Sequence, residues 1–391
     1  MAQDVYFNPT KVVFGPTAES HLADLLAQEH VTSLLFVYSG DYVNDLGIRD
    51  RVYEAAGKLG INVIENGDVV PNPRISLVRT LIEQARQHDV DFVLAAGGAS
   101  SFDTAKAVAV GYNYQGDVWD IFSGKAPIGE VLHTGTISTL PGSSSEVSHV
   151  AVLQEGHDKI ALEDPVLSPA FTIVNPENSR TAPYRYVISA VADLTAGYLE
   201  DYFTPDEDEL LVADRVLEGG FLAAYDATLK FAQNPDSAEN RLSLHWLSTV
   251  SFEDSYFAQV GRRGDWSAHR LEHALGAEFD ILHGEGVATL LPHIIRRVAD
   301  RRPGRYAKAA HRIFGVDLYE HSEEEAAYLL ADILERYFKD LRVPTTLSEQ
   351  GIKQEDLGRV VAHLEEHGQL PLGQYSPLDK EDVTAILNAA L

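Results

Sequence analysis

The segment Phe92–Val110, FVLAAGGASSFDTAKAVAV, decides the fold class. Phe92–Ala96 is an unbroken apolar run, the pattern of a strand buried on both faces of a parallel sheet. Gly97 and Gly98 turn the chain, and Phe102–Val110 continues with helical spacing. A helix opening just after such a turn offers free N–H groups and the positive end of its dipole, which suits a pyrophosphate. Ser100 and Ser101 can cap that helix or donate hydroxyls to phosphate. The turn does not match GxGxxG, and by itself a Gly-Gly pair serves an ordinary turn as readily as a nucleotide site.

Working outward, Val31–Tyr38 (VTSLLFVY) is a buried strand ending in Ser39-Gly40-Asp41, and Arg49–Leu59 has the helical pattern. Ile61–Glu65 is a second strand, Pro71–Pro73 a loop and Leu77–His88 a helix. This alternation predicts an α/β fold with an open, doubly wound, mostly parallel sheet. After Pro183 the pattern changes to long helices: Tyr186–Phe203, Asp208–Phe231, Ala238–Tyr256, Ser267–Leu275, Gly286–Asp300 and Ala307–Phe314. Ser322–Leu391 is helical too, broken by VPTTLSEQG and GQLPLGQYSPLD. The expected organisation is an α/β nucleotide-binding domain over 1–183 and an all-helical domain over 184–391.

The composition fits two globular cores: 391 residues, 45% hydrophobic and 23% charged. With 59 acidic against 31 basic residues the formal net charge is −28, a field that repels nucleic-acid backbones and anionic membranes. The acidic stretches Asp206–Leu210 and Glu323–Glu325 read as solvated faces. The absence of cysteine excludes disulfides and thiolate chemistry. No apolar run approaches the roughly 20 residues that span a bilayer, and MAQDVYFNPTKVVFG lacks the layout of a secretory signal. A cytoplasmic protein is expected.

Two further segments carry chemistry. Ser138–Glu146, STLPGSSSE, follows the extended run VLHTGTI, and read alone it is most simply a serine-rich surface loop. Gly264–His293, GDWSAHRLEHALGAEFDILHGEGVATLLPH, places His269 and His273 at i and i+4 on one helix face. His283 follows where Gly284 turns the chain. Two imidazoles with a remote carboxylate suit iron or zinc; helix-surface or core histidines are the plainer alternative.

Together GGASSFDTAK, TLPGSSSE, Asp193 in ISAVADLTAGYLEDY, the histidine segment and VPTTLSEQGI resemble the iron-containing (group III) alcohol dehydrogenases, in their butanol-dehydrogenase-like aldehyde reductase branch. The resemblance spans nearly the whole chain. It implies the dehydroquinate synthase-like fold of that family, with the cofactor on the N-terminal sheet and a metal in the cleft against the helical domain. Gly97, Gly98 and Ser100 match the pyrophosphate turn, with Ala99 in place of a third glycine, and Asp103 matches the acidic residue inside the helix. Thr139, Leu140 and Ser144 match the second cofactor loop, and Lys159 the lysine near the nicotinamide. Asp193, His269 and His283 match three metal ligands, and His273 the histidine beside nicotinamide and substrate, a candidate for proton relay.

The family's remaining ligand is a histidine one turn after the aspartate, where this chain has Gly197. Either three protein ligands and water hold the ion, or the metal has been lost. The implied activity is NAD- or NADP-dependent interconversion of aldehydes and primary alcohols by a homodimer. The same fold working without metal through Lys159 or His273, and an inactive nucleotide-binding descendant, are the alternatives. In the turn Ser39-Gly40-Asp41-Tyr42, an Asp41 facing the adenosine ribose would accept from a 2′-hydroxyl and repel a 2′-phosphate, favouring NAD; a turn-capping Asp41 facing solvent is the other reading.

Overall fold

The computed structural model describes residues 7–205, 210–259 and 263–391, which form two compact units, Phe7–Ala182 and Pro183–Leu391. The first is a six-stranded, wholly parallel sheet in the order β1-β8-β5-β4-β2-β3, built from β1 Lys11–Phe14, β2 Ser33–Tyr38, β3 Asn62–Asn66, β4 Phe92–Gly97, β5 His133–Ser138 and β8 Phe171–Val174. Its helices are α1 Leu22–Gln28, α2 Tyr42–Asp45, α3 Ile48–Leu59, α4 Ile75–Gln87, α5 Ala99–Tyr112 and α6 Val118–Phe122. The two-residue repeat of a strand sends Leu34 and Phe36 into one core and Leu35 and Val37 into another, so β2 is apolar at every position. Each such side chain, fully buried, stabilises the fold by roughly 1.5–3 kcal/mol.

β2 has β3 on one side and β4 on the other. The strand order therefore reverses between β2 and β4, and the crevice beyond their carboxyl ends is where ligands bind open α/β sheets. Helix α5 begins at Ala99, earlier than its apolar spacing indicated, because Gly98 is its N-cap and no side chain caps it. Ser100 and Ser101 lie in its first turn, so neither is a cap. An antiparallel hairpin, β6 Val150–Glu155 and β7 Asp158–Glu163, stands apart from the main sheet. Sequence reading took VLHTGTI, the β5 segment, as an extended run and assigned neither β6 nor β7, whose turn is marked by Gly156 in the left-handed region.

The second unit consists of α7 Tyr184–Tyr202, α8 Leu211–Gln233, α9 Ala238–Ala258, α10 Ser267–Phe279, α11 His283–Val298, α12 Gly304–Phe314, α13 Glu323–Asp340, α14 Leu357–Glu366 and α15 Lys380–Ala389. No strand occurs among its described residues. Residues 206–209, most of one acidic stretch and the expected start of a helix at Asp208, lie outside the described residues. Glu323–Glu325 are exposed in the first turn of α13, where Ser322 and Glu325 form a reciprocal capping box and acidic groups complement the helix dipole. Among the described residues no helix is long and apolar enough to cross a membrane.

Close approach of α11 to α7 depends on Gly284: a Cβ there would lie 1.8 Å from the carbonyl oxygen of Ser189. That approach brings the first residue of α11, His283, beside Asp193 on α7.

Candidate functional site

In the helical unit Asp193, His269 and His283 converge. Nε2 of His269 lies 3.0 Å and Nε2 of His283 3.4 Å from Oδ1 of Asp193. That buried oxygen nonetheless accepts no well-formed hydrogen bond among the described residues. The opposite ring nitrogen of each histidine is occupied: Nδ1 of His269 meets Glu200, and Nδ1 of His283 meets Glu272. With their Nδ1 atoms so engaged, both rings turn Nε2 toward the orphaned oxygen. Atoms about 2.0–2.1 Å from a common tetrahedral ion lie about 3.3 Å apart, close to the separations seen. The donor set thus fits a divalent ion.

The charges agree with the geometry. Burial opposes ionisation of Asp193, but the His283 and His269 rings hold its carboxyl well below the usual carboxylate range. Burial likewise opposes charge on His269, yet Glu200 and Asp193 push its pKa well above the ordinary imidazole value; for His283, Glu272 and Asp193 outweigh burial in the same direction. Three carboxylates around two rings form a pocket that demands positive charge, from protons or from a metal. The three side chains are not sealed: Asp193, His269 and His283 are 17%, 15% and 28% exposed, which leaves a side open to a small molecule.

His273 lies one turn along α10 from His269, its ring centroid 5.5 Å from that of His283. Gly197 supplies no ligand, and among the described residues a Cβ placed on it would meet nothing nearer than Trp266 at 4.0 Å. Trp266 in turn packs edge-on against His269.

In the α/β unit most of the expected cofactor residues gather at the carboxyl ends of β2, β4 and β5. Tyr42 ties these loops together, its hydroxyl 3.0 Å from Ser39 Oγ and 3.3 Å from Thr139 Oγ1, while Thr139 N–H donates to the Gly97 carbonyl at 2.8 Å. Gly97 has φ of 149°, and a Cβ on it would lie 2.3 Å from Ser101 Oγ. Gly98 faces Leu140, whose Cβ would be 3.4 Å from an added Cβ. Gly40 has φ of 74°, and Asp41 at the N-cap of α2 is exposed and makes no side-chain cap bond. Ser100 is half-buried in the first turn of α5.

The serine-rich segment is not a surface loop: Ser138, Thr139, Ser144, Ser145 and Glu146 are all buried. α5 holds it from beneath. Lys106 Nζ donates within 3.3 Å to the carbonyls of Ser145, Ser148 and Val150 and to the hydroxyls of Ser145 and Ser148. Burial lowers the Lys106 pKa to about 8. The buried Asp103 accepts from Ser145 Oγ at 2.6 Å and from Val152 N–H at 3.2 Å, and burial raises its pKa. Its carboxylate therefore works inside the protein, on the loop. Lys159 stands on the separate hairpin, opposite Gln154.

Sequence reasoning missed Tyr42, Lys106, Glu200 and Glu272. Two were legible as spacing: Glu200 is two helical turns from Asp193, and Glu272 is i+3 from His269.

Comparison with known proteins gives consistent findings. The family model described as iron-containing alcohol dehydrogenase matches residues 9–176, and that of the C-terminal part of the Fe-containing alcohol dehydrogenase family matches 225–391. The chain is 32% identical over 398 residues to the probable NADH-dependent butanol dehydrogenase 1 of Bacillus subtilis, covering 100% of each. It is 28% identical over 387 residues to an NADPH-dependent aldehyde reductase of Escherichia coli, covering 98% of each. The crystal structure of NADH-dependent butanol dehydrogenase A from Thermotoga maritima superposes with a TM-score of 0.93 at 30% identity, covering 100% of this chain and 99% of the other.

Proposed function

The chain belongs to the iron-containing alcohol dehydrogenase family, and from there we propose that it transfers hydride between a nicotinamide cofactor and an aldehyde or primary alcohol, with a divalent metal held by Asp193, His269 and His283. The observation that carries the metal-assisted reading is the buried Asp193 Oδ1, without a well-formed hydrogen bond among the described residues and faced by two Nε2 atoms.

When bound, the ion supplies Lewis-acid polarisation of a carbonyl oxygen, and the nicotinamide supplies the hydride. The chain's own residues do the rest. In the α/β unit Gly97, Gly98 and Ser100 cradle the pyrophosphate at the start of α5. Thr139, Leu140 and Ser144 form the second wall, which Asp103 and Lys106 hold in shape. Lys159 serves the nicotinamide end. In the helical unit His273 holds the proton that the product alkoxide needs, since an imidazole exchanges protons near neutrality.

NAD(H) is the preferred cofactor in this reading. Asp41 is exposed and not spent on capping α2, so its carboxylate is available to a ribose 2′-hydroxyl and repels a 2′-phosphate.

The test is NADH and NADPH oxidation with short- and medium-chain aldehydes on metal-loaded protein, alongside His269→Ala. Activity lost with His269→Ala, and kcat/KM at least as high with NADH as with NADPH, is expected. Full activity in His269→Ala would transfer the chemistry to a metal-free route through Lys159 or His273. No turnover with any aldehyde, but nicotinamide binding, would leave a nucleotide-binding protein.

A further inference from the structure

Glu200 on α7 and Glu272 on α10 stand behind the set of Asp193, His269 and His283: both are wholly buried, and Glu200 meets Nδ1 of His269 while Glu272 meets Nδ1 of His283. Glu200 is anchored a second time, its Oε1 accepting from Ala268 N–H at 2.7 Å. Glu272 has room because residue 286 is glycine: a Cβ there would lie 2.7 Å from Glu272 Cγ. Burying a carboxylate is unfavourable unless it is paired. Two independent carboxylates are nonetheless buried here, each on the far side of one imidazole, and both imidazoles aim at the same oxygen.

A carboxylate on Nδ1 keeps the hydrogen on that nitrogen, leaves the Nε2 lone pair for a cation, stops the ring from rotating and makes it a stronger donor. Such support matters most where ligands are few, and Gly197 leaves this site one short. We propose that Glu200 and Glu272 are positioning residues that set the tautomer, orientation and donor strength of His269 and His283, and so replace in this chain what a fourth protein ligand would contribute. The proposal rests on the reading that Asp193, His269 and His283 hold the metal.

The experiment measures Co²⁺ affinity of the full chain by competition with a chromophoric chelator, together with the visible Co²⁺ spectrum. The variants are Glu200→Gln and Glu272→Gln, alone and combined with Gly197→His, with His269→Ala as control. Each Glu→Gln change keeps the shape and removes the charge. The expected loss is roughly 10- to 100-fold in affinity per variant, with an altered Co²⁺ spectrum. In the Gly197→His background the loss should shrink, because the added imidazole takes over the same task; a purely structural glutamate would not be rescued in this way. Should a Gln variant fail to fold, Gly286→Ala, which displaces Glu272 without altering its chemistry, is expected to weaken Co²⁺ binding in its place.

Affinities within twofold of wild type in both Gln variants, while His269→Ala abolishes binding, would overturn the proposal and leave the metal reading standing. Losses of the same size with and without Gly197→His would overturn the compensation. Wild-type protein that takes up no Co²⁺, or takes it up equally with His269→Ala, would remove the metal reading and the proposal with it.

Discussion

At the scale of single residues, Gly197 and His245 make opposite departures from what their surroundings favour. Gly197 sits in the interior of α7, where glycine costs roughly 1 kcal/mol relative to alanine. A side chain there has space up to Trp266, so Gly197→His is expected to fold, to gain a few tenths of a kcal/mol in helix stability and to hold metal longer. The check is the rate at which a chelator strips the ion; equal rates in variant and wild type would mean that the added ring does not reach it. His245 on α9 is the reverse case, fully buried with no hydrogen bond to either ring nitrogen among the described residues. Burial, with Arg241 nearby, lowers its pKa to about 3. The unfolded chain binds a proton below its ordinary value of about 6.5 while the folded chain refuses it down to about 3, so stability is lost as the pH falls through that window. His245→Leu fills a similar volume without unsatisfied nitrogens. It should add about 1–3 kcal/mol in urea unfolding at neutral pH and more at pH 5; an acid limb identical to wild type would refute this.

At the scale of elements, the α/β unit hangs its serine-rich loop, the proposed second wall of the cofactor site, on one buried ammonium. Lys106→Met would leave the carbonyls of Ser145, Ser148 and Val150 without their donor, and removing one partner of a buried charged network typically costs 3–5 kcal/mol. A loosened loop should raise the KM for NAD(H) more than it lowers kcat. A proportionate fall in kcat with unchanged KM would place Lys106 in the chemistry. In the helical unit the corresponding joint is α7 against α11. Gly284→Ala forces a methyl into the Ser189 carbonyl, an overpacking expected to cost about 1–3 kcal/mol and to draw His283 away from Asp193. Thermal melting and metal content should fall together; a variant that melts lower but keeps its metal would show that α11 gives way elsewhere.

At the scale of the whole molecule, a net charge of −28 means that compaction works against self-repulsion. Raising NaCl from about 10 mM to about 150 mM shortens the screening length from about 30 Å to about 8 Å. The melting temperature should therefore rise over that range. The chain also has bonded pairs largely shielded from salt, such as Arg305 with Asp214, whose side chains are 11% and 0% exposed. A melting temperature that falls would mean that surface pairs outweigh net repulsion.

The sequence by itself determined what depends on neighbours along the chain. Apolar runs ending in glycine turns made β2 and β4 legible, because period and length select strand or helix before any tertiary contact forms. His269 and His273 shared a helix face by spacing alone, and recognition of the family rested on motifs in order. Only the tertiary structure decided what depends on residues distant in sequence. Burial turned the serine-rich segment from an apparent surface loop into a wall held by Lys106 and Asp103, since a lysine's partners are not written beside it. The hairpin strand β7 pairs with β6 outside the main sheet and carries no strong apolar alternation. Above all, the convergence of Asp193, His269 and His283, and the glutamates behind the two rings, follow from how α7, α10 and α11 pack: local spacing sets which face a side chain takes, but helix packing sets which faces meet.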